Sequence, residues 1–357
     1  MQHLSRRDFL ASSLAASGAW LHAADKTAED KQDVAFFLVG DTHYLADKEK
    51  PEKLDVRSAE TTSRLIEQLN RLPGTAIPEA AGGGTVSSPR GLIHAGDLID
   101  SGDKNGPAFP KMHDTEWGSF TADFGLTGKD GRLKMPVFEV HGNHDSPQGD
   151  GLVVKKISER NKTRPGLVNV SKNGLHYSWD WGPVHFVNLG IVVGSVKEPE
   201  RKRRYNALDS LEFLIADLAE KVGTSGRPVV ITHHVDMARY STEPDPKGPA
   251  TTKEWDPCDV RGYYEALQAY NIAAILYGHT HVRSIYKWDG TPMKGEKGVP
   301  VFNVDNGAHF ASEAQAFFYF QLQEGKMTVR EFATTDRWKT AAWTPQTWTT
   351  KLEMKKG

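Results

Sequence analysis

Five short polar motifs rich in aspartate, asparagine and histidine occur in one order along this chain of 357 residues. Together these three residue types are the ligands of a borderline divalent metal ion that keeps a bound water. The motifs therefore predict a metal centre that activates water. In chain order they are Asp41-Thr42-His43, Gly96-Asp97, Gly142-Asn143-His144-Asp145, His233-His234 and Gly278-His279-Thr280-His281.

The spacing within two motifs would let both polar side chains reach one ion. Asp41 and His43 are two residues apart, as are His279 and His281, and an extended backbone points residues i and i+2 to the same side. Either pair alone is a weak signal, because turns and buried histidines give the same pattern. Their joint occurrence with Asp97, a carboxylate able to bridge two ions, is a much stronger signal.

The elements that must position these motifs are apolar runs of β type. Four motifs directly end such a run, and the fifth follows one after a short His-Gly turn. A strand end is where an α/β sheet presents side chains to a ligand. The apolar runs of this kind in the chain are 34–39, 92–93, 137–138, 184–189, 229–231, 272–276 and 301–302.

Helices are predicted at 56–72 and 207–222, because leucine and isoleucine recur on one face of each before a glycine. The end of the chain, 317–332, is typical of an antiparallel hairpin. Strands alternating with helices before this hairpin predict an α/β fold with a mixed sheet. The segments 75–90 and 100–134 are predicted insertions, either rims over a site or plain surface loops.

Composition gives weaker constraints on partners and compartment. The formal net charge of −2 gives no general attraction to nucleic acid, so no nucleic-acid partner is expected. A single cysteine, Cys258, excludes an intrachain disulfide framework. The compartment must therefore be inferred from the N-terminus.

Residues 1–24 resemble a twin-arginine export signal, since Arg6-Arg7 precedes a weakly apolar stretch rich in alanine and serine. The resemblance implies a periplasmic or secreted protein carried by machinery that exports folded chains. Cleavage after Ala23 or Ala24 is expected, and 25–357 would then be a single domain with no stable membrane anchor. The alternative is a cytoplasmic tail.

The five motifs together resemble the calcineurin-like metallophosphoesterases, whose pattern is D-x-H, G-D-x-x-D, G-N-H-D/E, a histidine after a strand, and G-H-x-H. The resemblance spans Asp41 to His281. It implies a two-sheet mixed β sandwich flanked by helices, with a centre of two divalent ions such as manganese, zinc or iron. One ion would be held by Asp41, His43 and His281, the other by Asn143, His233 and His279, with Asp97 bridging both.

The resemblance also implies roles for residues beside the ions. His144 would protonate the leaving group or stabilise the transition state, with Asp145 fixing its tautomer, although His144 could instead only orient ligands. The family favours His233 over His234, but neighbours on a bending backbone point different ways and His234 stays open. Purple acid phosphatases carry glycine and tyrosine where this chain has His43 and Asp100, so no tyrosinate-to-iron colour is expected.

The implied function is hydrolysis of small phosphate monoesters or diesters outside the cytoplasm, by attack of a metal-bridging hydroxide. Two alternatives are a catalytically inactive protein that binds a phosphorylated ligand, and a mononuclear zinc hydrolase. The H-E-x-x-H helix of zinc peptidases is missing from the sequence. About two ions per chain would favour the first interpretation, and about one the mononuclear alternative.

Overall fold

A computed structural model describes residues 33–195, 203–239 and 254–352. The predicted export signal at 1–24 lies outside the described residues. In the described part, thirteen strands occur in chain order: β1 (Val34–Val39), β2 (Leu92–His94), β3 (Val137–Glu139), β4 (Leu167–Val170), β5 (Tyr177–Trp181), β6 (Val184–Asn188), β7 (Pro228–Thr232), β8 (Asn271–Tyr277), β9 (Ser284–Trp288), β10 (Val299–Asn303), β11 (Gln315–Gln323), β12 (Lys326–Thr334) and β13 (Ala342–Lys351).

Five α-helices within the described ranges flank these strands: α1 (Val56–Arg71), α2 (Phe109–Asp123), α3 (Leu152–Asn161), α4 (Ser210–Asp217) and α5 (Pro257–Leu267). Helix α4 continues into one π-helical turn, Leu218–Val222. None of the helices described here has both the length and the apolar character that crossing a bilayer requires.

The strands form two mixed sheets. The first has six strands in the order β13-β12-β11-β1-β2-β3, and the second has seven in the order β4-β5-β6-β7-β8-β10-β9. Within the first, β1, β2 and β3 are parallel, and within the second, β6, β7, β8 and β10 are parallel. The predicted two-sheet mixed sandwich flanked by helices is confirmed.

Aromatic side chains fill the space between the two sheets. Phe36 of β1 stacks on Phe320 of β11 at a centroid distance of 4.7 Å and meets Phe186 of β6 edge to face at 5.4 Å. All three are fully buried, and burial of one such ring contributes about 2 to 3 kcal/mol. A second core lies where Leu214 of α4 and Val260 of α5 pack on the other face of the second sheet.

The helix predicted at 56–72 is confirmed as α1, and its bounds agree almost to the residue. Leu65 and Leu69 of α1 are fully buried. The Asp55 carboxylate begins the helix by accepting hydrogen bonds from the backbone N–H groups of Arg57 and Ser58, a cap that contributes about 1 kcal/mol. The predicted terminal hairpin is also present as β11 and β12.

The predicted insertion at 100–134 contains α2, a helix that the sequence pattern did not indicate. Pro110 and Gly118 obscure the helical spacing of its buried residues Met112 and Phe120. The carboxylate of Glu116 on this helix accepts hydrogen bonds from the backbone N–H groups of Ala46 and Ser101. The helix therefore braces the loops that follow β1 and β2, where the polar motifs lie.

Candidate metal centre

The loops that carry the centre are bent, and their backbone is strained. Asp41, His43, Asp97, His279 and His281 have positive φ values of 55°, 44°, 52°, 72° and 50°. Each such residue costs about 1 to 2 kcal/mol. The extended backbone assumed from the i, i+2 spacing is therefore wrong, although both members of each pair do reach the cluster.

Backbone hydrogen bonds join neighbouring loops and hold this bent conformation. The N–H of Asp41 donates to the carbonyl of Gly96 at 2.9 Å, and the N–H of His43 donates to the carbonyl of Asp97 at 3.1 Å. The Asp41 carboxylate in turn accepts a bond from the N–H of His279 at 2.9 Å. Loops from both sheets are thus tied together at one rim of the sandwich.

One group of four side chains has the geometry of a first metal site. One ligand atom from each of Asp41, His43, Asp97 and His281 lies within 4.8 Å of the others. Nε2 of His281 is 3.1 Å from Nε2 of His43 and 3.3 Å from Oδ1 of Asp41. We refer to this group as site 1.

A second group lies on the other side of Asp97. One ligand atom from each of Asp97, His234 and His279 lies within 4.8 Å of the others. Nε2 of His234 is 3.2 Å from Oδ2 of Asp97 and 3.1 Å from Oδ1 of Asn143. We refer to Asp97, Asn143, His234 and His279 as site 2. The same Asp97 oxygen is 3.5 Å from Nε2 of His43, so this carboxylate lies between the two sites.

His233, which the sequence favoured as a ligand, lies outside the cluster. Its ring packs edge to face against Trp255 and Tyr263 at centroid distances of 5.3 and 5.6 Å. Neither ring nitrogen has a hydrogen-bond partner among the described residues. Strand β7 ends at Thr232, and successive side chains at a strand end point to opposite faces. His233 therefore points into the core under α5, and His234 points to the rim.

The charges in the cluster suit divalent cations. Burial would raise the pKa of Asp97, but His234 and His43 hold it well below its usual range. Burial would likewise lower the pKa of His234, but the carboxylates of Asp97 and Asp41 raise it to about 9. Carboxylates that stabilise a protonated, buried imidazole also attract metal ions. A metal ion displaces that proton when it binds.

His279 provides a direct test of whether the residues fit a metal. Its Nε2 is 2.9 Å from Oε1 of Glu254, and its Nδ1 is buried with no hydrogen-bond partner among the residues described. Buried polar nitrogens are normally paired. An imidazole held by a carboxylate at one nitrogen and unsatisfied at the other, in a residue grouped with Asp97 and His234, fits the role of a metal ligand.

Each site has a histidine backed by a carboxylate that itself contacts a basic side chain. In site 1, Oδ1 of Asp100 is 3.2 Å from Nδ1 of His43, and Lys104 donates to Oδ2 at 2.7 Å. In site 2, Arg239 donates to both oxygens of Glu254. Burial would raise the pKa of Glu254, but His279 and Arg239 lower it to about 2. No motif marks Glu254, so sequence reasoning missed it.

His144 lies beside site 1 without belonging to either group of site ligands. Its ring meets that of His43 edge to face at 4.8 Å. Its Nδ1 is 3.1 Å from the carbonyl of Asp100, which can only accept, so Nδ1 carries a proton. Its backbone N–H donates to Oδ1 of Asp97. Because Nδ1 forms the ring's hydrogen bond to the protein, Nε2 of His144 remains available to a ligand.

Asp145 does not orient His144, in contrast to the role inferred from the resemblance. Its buried carboxylate accepts backbone N–H bonds from Gly142 at 2.7 Å, Leu98 at 3.0 Å and Ile99 at 2.9 Å. These bonds connect the turn before Asn143 to the loop that carries Asp97. Asp145 is therefore a structural clamp between two ligand loops.

A cavity of about 620 Å³ is lined by neighbours of site 1 and by none of the proposed ligands themselves. Asp100, which contacts His43, and Phe310, whose ring stacks on His309, both line it. Its other walls include Arg57, Lys104 and Phe109. This volume falls within the range of about 300 to 1,000 Å³ that is typical of small-molecule sites.

Comparisons with known proteins identify the fold and the family of this chain. A segment of 61 residues is 43% identical to purple acid phosphatase 23 of Arabidopsis thaliana, a match that covers 17% of this chain and 13% of that protein. A dimetal phosphatase from Danio rerio has a similar fold, with a TM-score of 0.51 and 15% identity over 90% of this chain and 99% of that chain. Residues 34–283 match the family described as calcineurin-like phosphoesterase. That match covers more than half of the sequence, and the chain therefore belongs to the calcineurin-like phosphoesterase family.

Proposed function

We propose that this protein hydrolyses phosphate monoesters or diesters, with the metal-bridging hydroxide inferred from the sequence as nucleophile. The observation that carries the proposal is the position of Asp97 between two groups of ligands. Two divalent ions held there would lower the pKa of bound water and neutralise charge on the phosphoryl group. A site for a single ion would need only one of these two groups of ligands. Manganese, zinc and ferrous iron all suit the mixed oxygen and nitrogen ligands.

The chain's own residues would align the reaction. Asp97 fixes the spacing of the two sites, and Asp145 holds the two loops that carry Asp97 and Asn143. His144 has Nε2 free, and its pKa is raised because the charge of Asp97 and the carbonyl of Asp100 outweigh burial. A protonated His144 would give its Nε2 proton to the departing alkoxide oxygen.

The cavity beside Asp100 and Phe310 supports a small-molecule substrate. It is large enough for the organic group of a phosphoester. The slightly negative net charge gives no support for a polymeric nucleic-acid substrate.

The test compares Asp97→Asn with Asp114→Asn, a control at an exposed carboxylate on α2 outside the cluster. We expect Asp97→Asn to fold normally by circular dichroism but to lose turnover of an aryl phosphate ester. The control should turn over the ester at the wild-type rate. Retained turnover in Asp97→Asn would refute the bridging role.

We also propose export by the twin-arginine pathway to the periplasm or medium, supported by Arg6 and Arg7 before the alanine-rich stretch. Replacing both arginines with lysine should keep the protein in the cytoplasmic fraction of a bacterial host with that pathway. Equal export of the wild type and the double variant would contradict the proposed route.

A further inference from the structure

His309, which lies in the connection between β10 and β11, belongs to none of the polar motifs, yet its ring touches site 1. Ring centroids are 4.6 Å apart for His309 and His43, and 4.9 Å for His309 and His281. A ring nitrogen of His309 lies within 4.8 Å of ring nitrogens of both. His309 and His144 therefore both pack against the ring of His43, and neither is needed to complete the four ligands of site 1.

One hydrogen bond to the His309 ring favours a particular tautomer. The backbone N–H of Ala311 donates to Nδ1 at 3.3 Å, so Nδ1 is an acceptor. A neutral imidazole that accepts at Nδ1 carries its proton on Nε2. Among the described residues, none forms a hydrogen bond with Nε2. In this tautomer His309 presents an N–H donor at Nε2.

The position of the ring is held from several sides. Its backbone N–H donates to Oδ1 of Asn306 at 3.0 Å. Phe310 stacks on the imidazole at 4.6 Å, and the guanidinium of Arg57 lies 5.3 Å from the centre of the Phe310 ring. A donor fixed in this way needs little reorganisation when negative charge develops beside it.

We propose that His309 is a catalytic residue that donates a hydrogen bond from Nε2 to a non-bridging oxygen of the substrate's phosphoryl group beside site 1. This role rests on the proposed phosphoesterase function and extends it. His309 forms no covalent bond and transfers no proton. It would add a fixed neutral donor to the attraction of the ions, and the adjoining cavity would receive the organic group of the ester.

The experiment measures inorganic phosphate binding to the manganese-loaded protein by calorimetry, metal content by mass spectrometry, and turnover of an aryl phosphate. His309→Ala should keep the wild-type metal content, bind phosphate about tenfold more weakly or worse, and lose about 10²-fold in kcat. His309→Gln, which retains an N–H donor, should recover part of both losses. His113→Ala, a control outside both sites, should bind phosphate like the wild type.

Two results would overturn the proposal: loss of a metal ion from His309→Ala, or phosphate affinity and kcat within about twofold of the wild type. Failure of the proposed function would look different. In that case the metal-loaded wild type itself would neither bind phosphate nor hydrolyse the ester.

Discussion

The adjacent residues His233 and His234 give a matched pair for testing site 2. Both side chains are fully buried, so truncation of either to alanine creates a cavity of similar size and a stability loss of about 2 to 4 kcal/mol. Only His234 approaches Asp97 and Asn143. A difference in metal binding between the two variants therefore reports coordination and not general destabilisation.

The expected magnitude follows from the ligand count of site 2. In the proposed site 2, His234 would be one of four protein ligands, with Asp97, Asn143 and His279. Removing a residue that merely supports a ligand weakens metal binding about 10- to 100-fold. Loss of a ligand should lower the metal affinity at least about 100-fold, which corresponds to about 2.8 kcal/mol of binding free energy. His234→Ala should therefore retain about one ion per chain after dialysis and lose activity.

His233→Ala should retain two ions and hydrolyse an aryl phosphate at close to the wild-type rate. His233→Leu is a second check, because it fills the space and removes two ring nitrogens that lack partners. Burying an unsatisfied polar group costs about 1 to 3 kcal/mol, so this variant should be at least as stable as His233→Ala. If His233→Ala lost an ion while His234→Ala kept both, the assignment of site 2 would be wrong.

Three further changes test the surroundings of the centre. Glu254→Gln should weaken binding of the ion at site 2 about 10- to 100-fold, because the neutral amide supports His279 less well. A metal affinity equal to that of the wild type in calorimetry would exclude this role. Asp145→Asn should lower the free energy of unfolding by about 1 to 3 kcal/mol, because buried N–H donors lose an acceptor; an unchanged urea midpoint would argue against the clamp. Burial would lower the pKa of His185, but Asp180 and Asp217 raise it. Because the pKa of His185 is higher in the folded than in the unfolded protein, its protonated ring stabilises the fold fully below about pH 6.5. This stabilisation is lost as pH rises through the folded-state pKa. The stability difference between the wild type and His185→Gln should therefore be larger at pH 6 than at pH 9, and a constant difference would refute this.

Much of the architecture could be predicted because its signals are local. The continuous apolar run of β1 and the leucine stripe of α1 each specify their own element, and both are present. The polar motifs lie where strands end, so their convergence at one rim could be inferred from the direction of parallel strands.

The remaining features depend on contacts between distant segments. The choice between His233 and His234 is set by the face each side chain takes after β7, which the sequence of the loop does not reveal. Glu254 and His309 come from irregular connections without a repeating pattern. Asp41 and His43 share a site through left-handed backbone conformations that are stabilised by bonds to neighbouring loops.

The central claim is that two ions share the Asp97 carboxylate, and anomalous X-ray diffraction from a manganese-loaded crystal tests it most directly. We predict two anomalous peaks about 3.5 to 4 Å apart, one beside His43 and His281 and the other beside Asn143 and His234, with Asp97 in contact with both. A single peak, or a second peak that Asp97 does not touch, would contradict the dinuclear centre.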